Sequence, residues 1–282
     1  MGSNINEQKI TFLVVLAMLF ISCGGDGPIP STESSTEQKT PVEGMAVDKV
    51  QNVAINGAII FVDKSASIQK LDPIEISKAG EQIFQKLKTF LGEAGGEVTI
   101  YFIHKDLAGA SPFYKVNCYM KDTQGLTSLP LATARNKYKR DVDGLLNHII
   151  EAIKTPINQS TSTETDLWIT LKKAEDVFVN LPQGGKRLLI YYSDMVEAVS
   201  KPKCGKNYER TKFKDVPEAI AMGRKDATPI KQCYNIDTLS GPPEVFLCFP
   251  VGALQTSKHP YMFDYWKALF SEFEAKKVSS NL

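Results

Sequence analysis

The pentapeptide Asp63-Lys64-Ser65-Ala66-Ser67 places one carboxylate and two hydroxyls at alternate positions, directly after an apolar run. Alternate residues leaving a strand can turn their oxygens to the same side. Asp63, Ser65 and Ser67 thus form a set of oxygen donors without nitrogen or sulfur, which suits a hard cation: Mg2+, with Mn2+ or Ca2+ as alternatives. Other chemistry finds little support. His104, His148 and His259 are far apart and form no HExxH, and no CxxC is present, so zinc is not expected. There is no GxSxG elbow, phosphate-binding glycine loop or dinucleotide motif. No nucleophile stands out, and the chain reads as a non-enzyme.

The elements that must position these oxygens follow from hydrophobic pattern. Val53 to Val62 is a nearly continuous apolar run, as expected of a strand buried on both faces, and it ends at Asp63. Asp72-Pro73-Ile74-Glu75 offers an N-cap, a first-turn proline and a capping-box glutamate, so a helix starts there. A second strand is expected over Glu97 to His104, and a shorter one over Phe113 to Met120, suited to a sheet edge. Leu145, Leu146, Ile149, Ile150 and Ile153 form a helical stripe. A further helix is expected from Thr165, with Leu167, Trp168, Leu171, Ala174 and Phe178 on one face. Arg187 to Tyr192 is another buried strand, closing on Ser193-Asp194. Glu244 to Val251 is read as a strand, and Tyr261 to Val278 as an amphipathic terminal helix. Residues 195–243 are basic and irregular and read as an insertion with a short helix over Val216 to Met222.

Alternating strands and helices define an α/β protein: a doubly wound, mostly parallel sheet with helices on both faces, in one domain. In such sheets ligands sit beyond the carboxyl ends of the strands, where the winding reverses. Asp63 and Asp194 both close strands there.

With those loops in order, the sequence resembles von Willebrand factor type A domains, whose metal-ion-dependent adhesion site opens with DxSxS at a strand end. The resemblance spans about residues 53 to 280. It implies a threonine from a second loop and an aspartate from a third, here Thr165 and Asp194, so that Asp63, Ser65, Ser67, Thr165 and Asp194 hold one divalent cation. It also implies that an acidic side chain of a partner protein completes the metal shell, and two carboxylates with a dication leave room for a third. The sequence departs from the family at two places. Met195 stands where glycine follows the aspartate, and Glu164 stands where glycine precedes the threonine. Thr161 or Thr163 could replace Thr165. Asp166 and Glu164 read as helix N-terminal charges. A haloacid-dehalogenase-like phosphatase, the enzymatic alternative, needs a second aspartate at the position held by Ser65.

The front of the chain has a different composition. Lys9 precedes an apolar run, Ile10 to Ile21, too short to span a bilayer permanently but suited to a signal-peptide core. Leu19-Phe20-Ile21-Ser22-Cys23-Gly24-Gly25 resembles the lipobox of bacterial lipoproteins. That resemblance implies cleavage before Cys23 and acylation of its thiol and amino terminus by chains such as palmitate, giving lasting membrane attachment. An ordinary secretory leader and an uncleaved anchor are the alternatives. Residues 1–22 are thus read as the signal peptide, 23–51 as the lipidated end and a Gly/Pro/Ser/Thr/Glu-rich tether, and 52–282 as the domain.

Lys and Arg number 33 against 32 Asp and Glu, so no overall field recruits nucleic acid. Besides Cys23 there are four cysteines. Cys204 and Cys233 flank the insertion and are expected to pair. Cys118 and Cys248 fall in apolar strands that the family's strand order puts on opposite wings of the sheet. Lys201, Lys203, Lys206, Arg210, Lys212 and Lys214 form a basic stretch that could steer an acidic partner toward the metal. The whole is read as a cell-envelope protein, at the outer membrane or cell surface, that binds a protein ligand through its cation. A metal-free scaffold with a degenerate site is the alternative.

Overall fold

The computed structural model describes residues 54–65, 68, 72–103, 107–119, 127–155, 165–199, 204, 212–250 and 259–281. The strands are β1 (Gly57–Asp63), β2 (Gly95–Ile103), β3 (Tyr114–Tyr119), β4 (Arg187–Tyr192), β5 (Glu244–Cys248) and β6 (Lys277–Ser280). The helices are α1 (Pro73–Leu91), α2 (Ser128–Lys154), α3 (Ile169–Phe178), α4 (Val216–Tyr234) and α5 (Met262–Glu272).

Among the described residues the strands form one six-stranded sheet in the order β3-β2-β1-β4-β5-β6. All neighbours pair parallel except β2 and β3. The chain winds outward from β1 through β2 to β3, then returns to β4 beside β1 and winds the other way. β1 and β4 are therefore the pair at which the winding reverses.

The period-2 alternation of strand side chains divides the core into two layers. Ile59, Phe61, Leu189, Tyr191, Val245 and Leu247 belong to the layer with α3, α4 and α5, which contribute Leu171, Ile230 and Leu269. Ala58, Ile60, Val62, Leu188, Ile190 and Cys248 belong to the layer with α1 and α2, which contribute Ile83, Leu87, Leu145 and Ile149. Every residue of β1 and β4 is buried, because both faces are covered. This is the α/β architecture expected from the sequence.

Helix α1 starts where its signals place it, with the Asp72 carboxylate accepting from Ile74 N at 2.7 Å and proline in the first turn. β3 lies at the sheet edge. Four elements differ from expectation. The helix expected from Thr165 begins only at Ile169, because Thr165 is held in an antiparallel bridge to Ala198. The helix expected over 216–222 runs for 19 residues to Tyr234. Gly223, inside it, is a packing position, since a β-carbon there would meet Tyr265 O at 2.4 Å. The expected terminal helix over 261–278 ends at Glu272, and Lys277–Ser280 instead forms β6 beside β5. Helix α2 begins at Ser128, nearly five turns before the apolar stripe that announces it at Leu145.

Candidate functional site

Asp63 is the last residue of β1, and the parallel register with β4 ends at Val62↔Tyr192, so the next residues, Asp63 and Ser193, meet beyond the sheet. The Ser193 hydroxyl donates to Asp63 Oδ2 at 2.7 Å, and Ser65 N donates to Asp63 Oδ1 at 2.7 Å. Each oxygen of the Asp63 carboxylate is thus engaged by a different loop. The Ser193 oxygen in turn accepts from Met195 N at 2.9 Å, and Asp194 Oδ1 accepts from Val196 N at 3.1 Å.

The second loop joins through the third. Thr165 N donates to Ala198 O at 2.7 Å, and Ala198 N donates to Thr165 O at 3.0 Å. Glu197 accepts from Leu167 N at 2.7 Å, while Asp166 Oδ1 accepts from Ile169 N at 3.2 Å. Two carboxylates therefore meet the amide groups at the start of α3, where a helix attracts negative charge. Asp166 thus stands at the amino end of α3, as the sequence suggests.

Burial governs the electrostatics. Asp63, Thr165 and Asp194 are 1%, 2% and 3% exposed, and Ser65 is 9% exposed. Loss of solvent, and then the negative charge of Asp194, push the Asp63 carboxyl up to about 6, against the opposing hydrogen bonds from Ser193 and Ser65. The two carboxylates are close enough to oppose each other's ionisation.

Lys64 turns away to a different task. Its ammonium donates to Ala152 O, to Ile153 O at 2.9 Å and to Thr155 O at 2.9 Å, and lies 4.6 Å from the centre of the Phe102 ring. It closes the carboxyl end of α2, where unpaired carbonyls and the helix dipole favour a cation. Burial pushes its ammonium down to about 8, with Asp63 opposing the shift.

Met195 occupies the place where the family resemblance expects glycine, and its φ is +59°. That left-handed conformation is uncommon for a residue with a side chain. The residue is fully buried, and Trp266 Nε1 of α5 donates to its carbonyl at 2.8 Å. The backbone geometry that glycine would adopt freely is held here by packing and by a tryptophan.

The structure thus brings Asp63 and Ser65 together with Ser193, the neighbour of Asp194, and ties Thr165 to the loop that carries Asp194. Ser67, Cys23, the 1–22 and 23–51 segments, Thr161, Thr163, Glu164, His104, and Lys201, Lys203, Lys206 and Arg210 lie outside the described residues. Lys212 and Lys214 are exposed. Cys204 and Cys233 are joined in a disulfide with Cα atoms 5.2 Å apart, whereas Cys118 and Cys248 are buried free thiols. Sequence reading gave no role to Lys64, Ser193 or Glu197. Only their place beside the donor residues could have suggested one, since their partners are backbone groups and side chains up to 130 residues away. Among the described residues no group of three or more His, Cys, Asp or Glu side chains forms a metal cage, and any cation at this rim must rely on hydroxyls beside the two carboxylates. Among them, too, no helix is long and apolar enough to cross a membrane.

No protein-family model matches the chain, and no curated protein matches it. Among solved structures, the human COPII-coat protein Sec24c is 14% identical, with a TM-score of 0.43 over 80% of this chain and 29% of that one. The conserved hypothetical protein BatB from Bacteroides thetaiotaomicron is 13% identical, with a TM-score of 0.37 over 80% of this chain and 89% of that one. The manganese-loaded TRAP protein of Plasmodium vivax is 13% identical, with a TM-score of 0.32 over 75% of this chain and 63% of that one. At these scores the likenesses carry no functional argument, and the fold assignment rests on strand order and pairing: a doubly wound, mostly parallel α/β sheet.

Proposed function

We propose that this chain is a type A-like domain carried on a lipid-anchored envelope protein, and that it binds a protein partner through a divalent cation at the rim of β1 and β4. One observation carries the reading. Two buried aspartates, Asp63 and Asp194, stand at adjacent strand ends where the winding reverses, close enough for one to suppress the ionisation of the other. A hard dication would relieve that opposition, and the donors suited to it are Asp63, Ser65, Ser67, Thr165 and Asp194, all oxygen. When bound, the cation supplies an electrophilic point that a partner's carboxylate can complete. The role is read as binding rather than catalysis, because the sequence carries none of the nucleophile motifs of the common hydrolases.

The anchor reading rests on the Cys23 lipobox and the polar tether after it. Mass analysis of the amino-terminal peptide from membranes tests it, and an unmodified Cys23 ends it.

A metal-free scaffold is the second reading, and the burial of the donors favours it, because Asp63, Thr165 and Asp194 present almost no surface to a partner. Calorimetric titration with Mg2+ and Mn2+, beside Asp63→Ala, separates the two. Heat in the parent but not in the variant supports the cation site, and heat in neither supports the scaffold.

A further inference from the structure

Helix α2 is longer than the surface it buries. Its 27 residues extend on the order of 40 Å at about 1.5 Å per residue, yet its buried residues begin only at Val142. Three contacts with α1 show where it leaves the body. Gly80 lies against Ile150, Lys88 pairs with Asp143 at 3.3 Å, and the Tyr138 hydroxyl donates to Gly92 O at 2.5 Å. The partners descend in number on α2 as they rise on α1, so the helices run antiparallel. Gly92 is the C-cap of α1. The residues from Ser128 to Lys137 therefore extend past the end of α1, by roughly 15 Å.

That overhang has a definite chemistry. Leu129 is 77% exposed. Arg135, Lys137, Lys139 and Arg140 are all exposed, and Lys137 holds the Asp141 carboxylate at 2.7 Å. Arg135 and Lys137 stand on the overhang and Lys139 and Arg140 just behind it, against Asp141 on the same helix and Glu93 beside Gly92. Leu129 lies about 9 Å further out along the axis than Arg135, and none of residues 128–140 is buried among the described residues.

Its position in the fold is equally definite. Gly95 opens β2 and pairs with Tyr119 at the end of β3, and Asn56, just before β1, donates from Nδ2 to Gly95 O at 3.0 Å. The overhang thus leaves the body at the amino-end rim of the sheet, where the chain from its amino-terminal segment enters β1. The opposite end of α2, capped by Lys64, lies at the rim that holds Asp63 and Asp194. The two ends of one helix mark the two ends of the domain.

Resting on the reading of Cys23 as a lipid attachment site, we infer that the overhang of α2 docks on an anionic phospholipid surface. Arg135, Lys137, Lys139 and Arg140 meet lipid phosphates, and Leu129 enters the headgroup boundary. Attachment at Cys23 alone sets no orientation of the domain; docking at this end of α2 puts the bilayer at the end of the sheet opposite the rim of Asp63 and Asp194.

The test uses the full acylated chain carrying Leu129→Cys labelled with an environment-sensitive dye, added to vesicles of pure phosphatidylglycerol or pure phosphatidylcholine. The expected result is flotation with both vesicles but a blue shift of the dye only on phosphatidylglycerol, reversed by high salt. Each basic residue near an anionic surface contributes about fivefold. Replacing all four by glutamine should therefore lower the docked fraction by well over tenfold, with the thermal midpoint unchanged because the side chains are exposed. A chain that floats while its dye stays in water on phosphatidylglycerol overturns docking and leaves the anchor standing. A chain that fails to float on phosphatidylcholine overturns the anchor, and its dye response to added phosphatidylglycerol still decides docking. A shift that appears without vesicles as concentration rises, or only with native envelope fragments, assigns the tip to a second copy or to a protein and overturns the lipid assignment.

Discussion

Cation binding at the β1–β4 rim should be coupled to loss of a proton from Asp63. The Asp63 carboxyl is raised from 3.8 to about 6, first by burial and then by Asp194, a shift of about two units or about 3 kcal/mol against the ionised form. A carboxyl whose folded-state pKa lies above its unfolded value binds protons more tightly when folded. The cation-free domain should therefore lose stability as pH rises from about 4 to about 6, and level off above. A dication favours the ionised pair, so its affinity should fall about tenfold for each unit of pH below about 6 and be constant above it. Thermal unfolding with and without Mn2+ across this range measures both effects, and calorimetry near pH 6 in two buffers of different ionisation enthalpy counts the proton released. Asp194→Asn removes the second cause of the shift. It should shrink the loss of stability between pH 4 and 6, leave the part due to burial, and abolish the response to Mn2+. Equal Mn2+ stabilisation at about pH 5 and about pH 8, or an Asp194→Asn protein that responds like its parent, would refute the reasoning.

Three other outcomes are expected. Lys64→Met keeps the side-chain stem near Phe102 but removes the hydrogen bonds to the end of α2, and should lower stability by about 2 kcal/mol in denaturant titration. Because the Lys64 ammonium is depressed from 10.5 to about 8, the parent should gain stability as pH rises between those values, and the variant should lack that gain. The Cys204–Cys233 bridge closes a sequence separation of 29 residues, so replacing both by serine should cost about 3–4 kcal/mol; free thiols at both positions in unreduced peptide maps would remove the basis of this expectation. At Met195 the usual order of glycine and alanine should invert: both variants lose the buried side chain, but Met195→Gly should be more stable than Met195→Ala by about 1 kcal/mol, because glycine adopts the +59° φ without strain.

What the sequence makes legible is whatever has a short-range physical cause. β1 and β4 are readable because strands buried on both faces are apolar throughout, and the start of α1 because Asp72 and Pro73 act within one turn. β6 gives no such signal: its four residues, Lys-Val-Ser-Ser, are intermediate or exposed and become a strand only because β5 offers a free edge. The first half of α2 is silent for a related reason, since a helix segment that buries nothing carries no apolar stripe. Gly223 is silent too, because the close approach of α5 that requires a glycine there is a long-range contact. The expected donors Asp63, Ser65, Ser67, Thr165 and Asp194 are picked out in the sequence by type and order alone. The positions of Asp63 and Asp194 at adjacent strand ends follow from strand order, which no local pattern contains.

The loop after β4 shows why composition alone misjudges this rim. Residues 193–198 read Ser-Asp-Met-Val-Glu-Ala, half apolar and missing the glycine that the family resemblance expects, yet this loop makes hydrogen bonds to both of the others. Ser193 binds Asp63, Ala198 bridges Thr165, and Glu197 takes the Leu167 amide. Met195 sits between them with its carbonyl taken by Trp266. A glycine at position 195 would leave the loop free to reach this shape and free to leave it, whereas a buried methionine secured by a tryptophan reaches it at the expense of strain and then stays. Met195 therefore holds the loop after β4 in one shape, and Asp63 and Thr165 are held in register with it by the Ser193 hydroxyl and by the backbone bridge of Ala198.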